Sequence, residues 1–293
     1  MSAETVRKTT AVHRKPVARP RKLVRDLVKY LILAGVFVIT VAPVLLMWSS
    51  AFKTSAQVAQ DPLALPTSLS PANLIRAWTV GRFGRYAMNS VVITIPTVLG
   101  VVALSCLAGY GFARFRFAGK HVIFLLFLLG LMVPFQSIMI PLYFDLQQYR
   151  LLGTYAAMIL PAIALGLPFG IFLMQSFFRG LPEELSDSGK VDGCNDLQVF
   201  WHIILPLTRP AFSSLAIFQF VWTWNAFLMP LLYLNKEELR PMTLGLMFFQ
   251  GRYTSDYSMI SAGVTLTTVP MIIIYILLQR QFLLGLTQGA LKG

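Results

Sequence analysis

Residues 122–130 read Val-Ile-Phe-Leu-Leu-Phe-Leu-Leu-Gly, an apolar run in which polar residues do not alternate with apolar ones. The strands of a membrane β-barrel would alternate with a period of two over about ten residues. A transmembrane helix needs about 20 consecutive, mostly apolar residues. This run continues without a charged residue to position 144. The segment therefore predicts a helix that crosses a membrane.

The composition of the whole chain agrees with this prediction. Of its 293 residues, 56% are apolar and only 13% are charged, about half of the ~25% typical of soluble domains. These values argue against a cytosolic globular enzyme and against a disordered chain. We predict an all-α membrane protein with six transmembrane helices, at residues 30–52, 91–113, 122–144, 152–178, 210–234 and 257–279.

Cysteine and histidine are scarce in this sequence. The two cysteines, Cys106 and Cys194, exclude a disulfide framework and a cysteine-rich metal site. The three histidines lie far apart in the sequence, at positions 13, 121 and 202. We therefore expect no metal site.

The net charge of +13 is best explained by membrane topology. In a soluble protein it would suggest nucleic-acid binding, and here no nucleic-acid partner is expected. If the N-terminus is inside, 17 of the 25 Lys and Arg residues fall in inner segments, so the positive-inside rule places both termini in the cytoplasm. Residues 1–29 are predicted to be a basic cytoplasmic tail that either fixes topology or also binds anionic lipid headgroups.

The interiors of the six predicted spans, within residues 30–293, contain no Asp, Glu, Lys or Arg. Ion-driven carriers usually place an ionisable group in a span, at a cost of at least ~2.5–3.5 kcal/mol, so a secondary carrier or an intramembrane acid–base enzyme is disfavoured. Amides and aromatic rings suit a neutral polar solute such as a sugar, and they equally suit interhelical hydrogen bonds and interfacial positions. The candidate pathway residues are Gln136, Gln219, Trp222, Trp224 and Asn225.

Prolines recur inside the spans, including Pro134 and Pro141 in the third. Each removes a backbone donor and tends to kink its helix. Two interpretations stay open: kinked helix packing, or a broken helix whose freed carbonyls line a polar pathway.

No phosphate-binding loop is present in the sequence. That motif requires Gly-Lys followed by Ser or Thr, whereas Gly119-Lys120 is followed by His121 and Gly189-Lys190 by Val191. We expect no cofactor on this chain and no ATP binding through that motif.

The connection at residues 180–209 is the most organised loop in the sequence. Pro182 suits a first helical turn, and Glu183, Glu184 and Asp187 lie where a helix dipole favours anions. Gly193 is a candidate helix stop in left-handed geometry. The small residues Ser188 and Gly189 offer a place where another protein could approach closely.

A second helix is predicted after Gly193. Asn195 and Gln198 form the pattern of a capping box. An apolar face then follows with helical spacing, and it consists of Leu197, Phe200, Trp201, Ile204 and Leu205. Taken by itself, this pattern indicates an ordered pair of loop helices before Pro206 and Pro210.

This loop resembles the EAA loop of ABC importer permeases. Residues 184–194 read Glu-Leu-Ser-Asp-Ser-Gly-Lys-Val-Asp-Gly-Cys, followed by Phe200 and by Ile-Leu-Pro at 204–206. Asp187 stands for the usual Glu, and Ser, Gly and Cys replace three alanines. The resemblance assigns coupling to an ATPase to Glu183, Glu184, Asp187, Ser188, Gly189, Asp192, Gly193, Cys194, Phe200, Leu205 and Pro206.

Residues 132–143, 220–231 and 279–293 are similar to the carbohydrate branch of that family, the MalG-like permease subunits. The resemblance implies a type I permease fold, with residues 180–209 as a coupling loop. It also implies ATP-driven import of a sugar, foremost an oligosaccharide, across a bacterial or archaeal plasma membrane. A permease for glycerol-3-phosphate or a glycerophosphodiester is the alternative, for which a cluster of cations in the pathway would be expected. Ala226 stands where the family often has an acid, so no role of that acid is transferred.

The same resemblance implies an assembly of several chains. Its parts would be a second, homologous permease, two ATP-binding subunits that carry ATP and Mg, and an extracytoplasmic sugar-binding protein. The outer segments 53–90 and 235–256 are the candidates for docking of the binding protein.

Overall fold

The computed structural model describes the backbone of residues 20–249 and 256–290 and the side chains of residues 25–249 and 256–279. Within those ranges the chain is helical and contains no β-strand, which confirms the all-α prediction. The first seven helices are α1 (Pro20–Ala51), α2 (Ser55–Gln60), α3 (Ala72–Thr79), α4 (Phe83–Arg114), α5 (Lys120–Gly130), α6 (Phe135–Gln148) and α7 (Ala156–Arg179). The others are α8 (Glu184–Val191), α9 (Asp196–Val199), α10 (Leu205–Leu207), α11 (Arg209–Trp224), α12 (Leu228–Tyr233), α13 (Met242–Gly245) and α14 (Tyr257–Ala290).

Four of the six predicted spans are single long helices. These are α1, α4, α7 and α14, whose apolar stretches are long enough to cross a bilayer. Charged residues in α4 lie near its ends, at Arg85 and Arg114. The chain divides into two compact units, Met1–Met47 and Trp48–Gly293. The described part of the first unit is helical from Pro20, so the last ten residues of the predicted basic tail are helical, whereas residues 1–19 lie outside the described residues.

The third predicted span is not one helix. It consists of α5 and α6, which are bent by 96° at the break before Phe135. Pro134 lies at the break in an extended conformation, with φ −69° and ψ 138°. Proline lacks a backbone donor and disfavours helical geometry at the preceding residue, so one continuous helix through residues 133–134 is disfavoured. Pro141, in contrast, lies inside α6.

The fifth predicted span is also divided. Helix α11 ends at Trp224, and α12 begins only at Leu228. The side-chain amide of Asn225 donates to the backbone oxygen of Val221 at 2.9 Å. Such local bonds from Asn compete with continuation of a helix, which explains the end of α11 at this point.

Helices α4 and α7 form the centre of the second unit. They approach so closely that a Cβ atom at Gly109 would lie 2.9 Å from the backbone nitrogen of Gln175. Small residues allow this kind of contact between membrane helices. Helix α11 packs against both of them, and α14 packs against α11. Two regions described below contact this α4–α7–α11 group: the loop that joins α7 to α11, and a cavity between these two helices.

Polar contacts group the connecting segments at two ends of the membrane domain. Arg114 Nη2 donates to the backbone oxygen of Leu181 at 2.9 Å, which links two segments predicted to lie inside. Arg82 and Glu237 form a 3.2 Å salt bridge between two segments predicted to lie outside. This grouping agrees with the predicted crossing pattern. Which end faces the cytoplasm stays a prediction.

Candidate functional sites

The loop between α7 and α11 begins with the predicted acidic helix, α8. This helix begins at Glu184, so Pro182 precedes it and does not form its first turn as predicted. Gly193 has φ +85°, which confirms the left-handed stop. The Cys194 N–H donates to the Gly189 oxygen at 2.9 Å, and the Gly193 N–H donates to the Lys190 oxygen at 3.0 Å. These two bonds are the Schellman pattern that satisfies the last carbonyls of a helix.

Two further contacts fix the turn that joins α8 to α9. Lys190 Nζ lies 2.9 Å from Asp196 Oδ1 across the turn, and the hydrogen bond to this carboxylate raises the pKa of Lys190 because it favours the charged ammonium. Asn195 and Gln198 form both bonds of the predicted capping box. The turn is therefore held by its own hydrogen bonds.

The predicted apolar face of the second helix is partly wrong. A π-helical segment, Phe200–Ile204, follows α9, and the Leu205 N–H donates to the Phe200 oxygen. Such a segment inserts an extra residue into the turn, so the buried face differs from that of an ideal α-helix. Val199, Phe200 and Ile204 are buried, whereas Leu197 and Trp201 are 60% and 53% exposed.

Phe200 joins the loop to the membrane domain. Its ring centroid lies 5.0 Å from that of Tyr110 on α4 and 6.3 Å from that of Phe178 on α7. Leu215 of α11 belongs to the same buried cluster. Phe200 therefore packs against α4 and α7 within a buried cluster that also includes α11.

Gly189 does not provide the external contact surface that was predicted. It is buried, and a Cβ atom there would lie 2.5 Å from Cδ1 of Ile203. Its small size is required by packing within the loop. The exposed members of the predicted coupling set are Glu183, Glu184, Asp187, Ser188, Asp192, Gly193 and Pro206, whereas Cys194 and Leu205 are half-buried. Val191 is 87% exposed beside this acidic surface.

A cavity of about 150 Å³ lies between α7 and α11, and all of its described lining residues are uncharged. Gln219 is only 4% exposed. Its Nε2 donates to the Thr223 hydroxyl at 3.1 Å, while its Oε1 has no hydrogen-bond partner among the described residues. Trp222 is half exposed at the cavity. The lining consists of Met158, Ala162, Leu165, Gly166, Gln219, Trp222, Thr223, Ala226 and Met229.

The other candidate pathway residues lie elsewhere. Trp224 is buried on another side of α11, where its Nε1 donates to the Thr267 oxygen at 3.1 Å and its ring stacks on Phe220. Gln136 and Asn225 are exposed and do not line the cavity. Sequence reasoning missed Met158 and Thr223, because nothing in the sequence distinguishes them from other small or apolar residues in these spans.

The architecture is that of a multi-span helical membrane protein with an ordered polar loop anchored on its core. Residues 101–283 match the family described as binding-protein-dependent transport system inner membrane component. The chain belongs to this family of transport permeases.

Curated relatives and a solved structure agree with this membership. The diacetylchitobiose uptake system permease protein NgcG of Streptomyces coelicolor is 33% identical, over 87% of this chain and 85% of its own length. The arabinooligosaccharides transport system permease protein AraQ of Halalkalibacterium halodurans is 36% identical, over 87% of this chain and 92% of its own length.

The solved structure belongs to a bacterial ABC transporter involved in the import of the acidic polysaccharide alginate. One of its chains matches with a TM-score of 0.78 and 20% identity, covering 92% of this chain and all of that chain. This likeness confirms the predicted permease fold.

Proposed function

We propose that this chain is the permease subunit of an ATP-driven importer for a neutral oligosaccharide. Family membership supports the transport role. The names of NgcG and AraQ, a diacetylchitobiose and an arabinooligosaccharide permease, support an oligosaccharide as the solute.

The observation that carries the choice of solute is the Gln219 amide in the cavity. Its Oε1 is a buried acceptor without a partner among the described residues. Leaving such a group unsatisfied costs about 1–3 kcal/mol, and a sugar hydroxyl that enters the cavity would satisfy it. The ring of Trp222 beside it offers a flat apolar surface for a sugar ring.

The uncharged lining also favours a neutral sugar over glycerol-3-phosphate. A phosphate group would need cationic or strongly donating partners, of the kind that Arg and Lys supply. The described residues around this cavity supply none.

We assign the coupling role to the exposed surface of α8 and the turn at Gly193. In this proposal two ATP-binding subunits, which carry ATP and Mg, each receive such a loop, and a second permease completes the pathway. Closure of the ATPases would move the loop, and Phe200 would pass that movement to α4, α7 and α11. Since the cavity lies on α7 and α11, the same movement would change its access, as in other ligand-driven switches.

The test is a pair of matched substitutions, Gln219→Leu and Gln136→Leu, in the assembled importer reconstituted into vesicles. Both remove an amide from a predicted span, but only Gln219 lines the cavity. Gln219→Leu should lose one hydrogen bond to the sugar, worth about 0.5–1.5 kcal/mol. The half-saturation concentration for oligosaccharide uptake should therefore be roughly 2- to 12-fold higher than in the wild type. Gln136→Leu should transport like the wild type.

Two results would contradict the proposal. One is an equal half-saturation concentration for uptake in both variants, which would show that the solute does not bind to Gln219 in the cavity. The other is competition by glycerol-3-phosphate but not by neutral di- to tetrasaccharides, which would replace the proposed solute class.

A further inference from the structure

A second, smaller cavity lies at the end of the membrane domain where α4 ends, α5 begins and α7 ends. Its volume is about 70 Å³, well above the ~10–15 Å³ that one water molecule requires. We call it the basic pocket, and it is lined by Phe112, Lys120, His121, Phe124, Gln175 and Arg179. It is separate from the cavity that contains Gln219 and from the coupling surface.

The cations of the basic pocket have no acidic partner among the described residues. The three salt bridges found among the described residues involve neither Lys120 nor Arg179. Lys120 Nζ donates to the backbone oxygen of Phe115 at 2.8 Å, which leaves two of its three N–H groups for another acceptor. The pocket therefore combines positive charge with free hydrogen-bond donors.

The N-terminus of α5 adds to this positive potential. The helix is 11 residues long, no side chain caps its first turn, and no acidic residue lies in that turn. The first N–H groups of a helix lack partners within the helix and carry partial positive charge. Lys120 occupies that turn, so the helix end and a side-chain cation lie together.

Gln175 is an independent indication of a ligand. Its side chain is 7% exposed and lines the basic pocket, yet it makes no hydrogen bond to any residue that the structure describes. A buried amide is normally hydrogen-bonded, and its NH₂ group could donate to an anion held by the cations.

The surroundings of the basic pocket indicate that its ligand comes from the bilayer. The rings of Phe112 and Phe124 lie 5.4 Å apart in its wall. Val122, Leu125 and Leu126 of the same helix α5 are exposed, and lipid tails would cover such a surface. Basic pockets between membrane helices are known to bind the headgroups of anionic lipids.

We propose that the basic pocket binds the phosphate group of an anionic phospholipid, with Lys120, Arg179 and the N-terminus of α5 as its cationic partners and Gln175 as a neutral donor. The acyl chains lie along the exposed face of α5. A lipid held there bridges α5 to α7, and so links the broken third span to the helix that lines the cavity of Gln219 and packs against Phe200. The inference does not depend on the solute that the importer carries.

The experiment titrates phosphatidylglycerol into the importer complex, purified through a tag on this chain, and counts bound lipid by native mass spectrometry. A charge near the membrane surface contributes about 1 kcal/mol of attraction, so Lys120→Gln and Arg179→Gln should each weaken the apparent affinity roughly fivefold. Arg116→Gln is the matched control, because Arg116 is an exposed cation of the same connection that does not line the pocket. It should bind like the wild type.

Gln175→Glu is the second variant, because it keeps the side-chain volume and adds a carboxylate that would pair with the cations. It should lose preferential binding of phosphatidylglycerol over phosphatidylcholine while the complex stays assembled. Unchanged binding in the Lys120→Gln/Arg179→Gln double variant would overturn the proposal, as would an equal loss in Arg116→Gln. Displacement of the lipid by an equal concentration of inorganic phosphate would contradict the proposal that the ligand is a phospholipid. It would indicate a site for free phosphate instead.

Discussion

Gly193 is the residue at which an ordinary helix stop can be distinguished from a contact that couples the loop to the ATPase. Its φ of +85° favours glycine, while a Cβ atom there would meet no other atom within 4 Å. Gly193→Asp should therefore cost only the backbone strain of about 1–2 kcal/mol and leave expression and assembly intact. If this exposed turn contacts the ATPase, the added side chain should abolish uptake and disconnect ATP hydrolysis from the loaded binding protein. The measurement is receptor-stimulated ATPase and uptake in vesicles that contain equal amounts of assembled complex.

Gly193→Asn controls for the added charge, since Asn and Asp have similar size and both tolerate left-handed geometry better than most residues. Uptake should be lost in this variant too, because its side chain also projects from the turn. Recovery of uptake in Gly193→Asn would show that the negative charge of Asp was the cause, and normal uptake by Gly193→Asp would remove the coupling assignment.

Side-chain hydrogen bonds could be predicted from the sequence only between residues that are close together along the chain. The capping box of Asn195 and Gln198 joins residues three apart, so its bonds depend little on the rest of the fold. The choice among pathway residues was less successful, because it depends on which face of α11 meets α7. Gln219, Trp222 and Thr223 follow i, i+3, i+4 spacing and share that face, whereas Trp224 points to α14.

At the scale of elements, the π-helical segment decides how the loop is anchored. Phe200 is buried and Trp201 is half exposed, although the ideal helical period predicts that both are buried. Phe200→Ala should destabilise the complex by about 3–5 kcal/mol, the usual cost of removing a buried Phe. Trp201→Ala should cost less, about 0.5–1.5 kcal/mol, because its half-exposed ring makes an edge contact with Phe200. Thermal unfolding of the purified complex measures both.

The comparison is matched, because adjacent aromatic residues of one segment are truncated to the same residue. Equal losses would contradict the observed burial and support an ideal α-helical register for residues 196–207, in which both side chains are buried.

The breaks in the third and fifth spans show what hydropathy can and cannot predict. Residues 122–144 and 210–234 are mostly apolar and contain no charged residue, so their presence in the membrane could be predicted. The break at Pro134 could not be fixed in advance, because a span proline is compatible with a kink or with a full break. The end of α11 at Trp224 could not be fixed either, because it depends on a local bond of Asn225. The energy of the freed backbone groups depends on neighbouring helices, which the sequence of one segment does not contain.

At the scale of the whole molecule, the contacts group the segments at two ends, and the excess of Lys and Arg predicts which end is cytoplasmic. Ser70 is exposed in the segment between α2 and α3, and Ser188 is exposed on α8 at the other end. In a variant lacking Cys106 and Cys194, Ser70→Cys should react with a membrane-impermeant maleimide in intact spheroplasts. Ser188→Cys should react only after permeabilisation. The reverse pattern would invert the topology, and reaction of both sites in intact spheroplasts would contradict the crossing number itself, since an odd number of spans must separate the two positions.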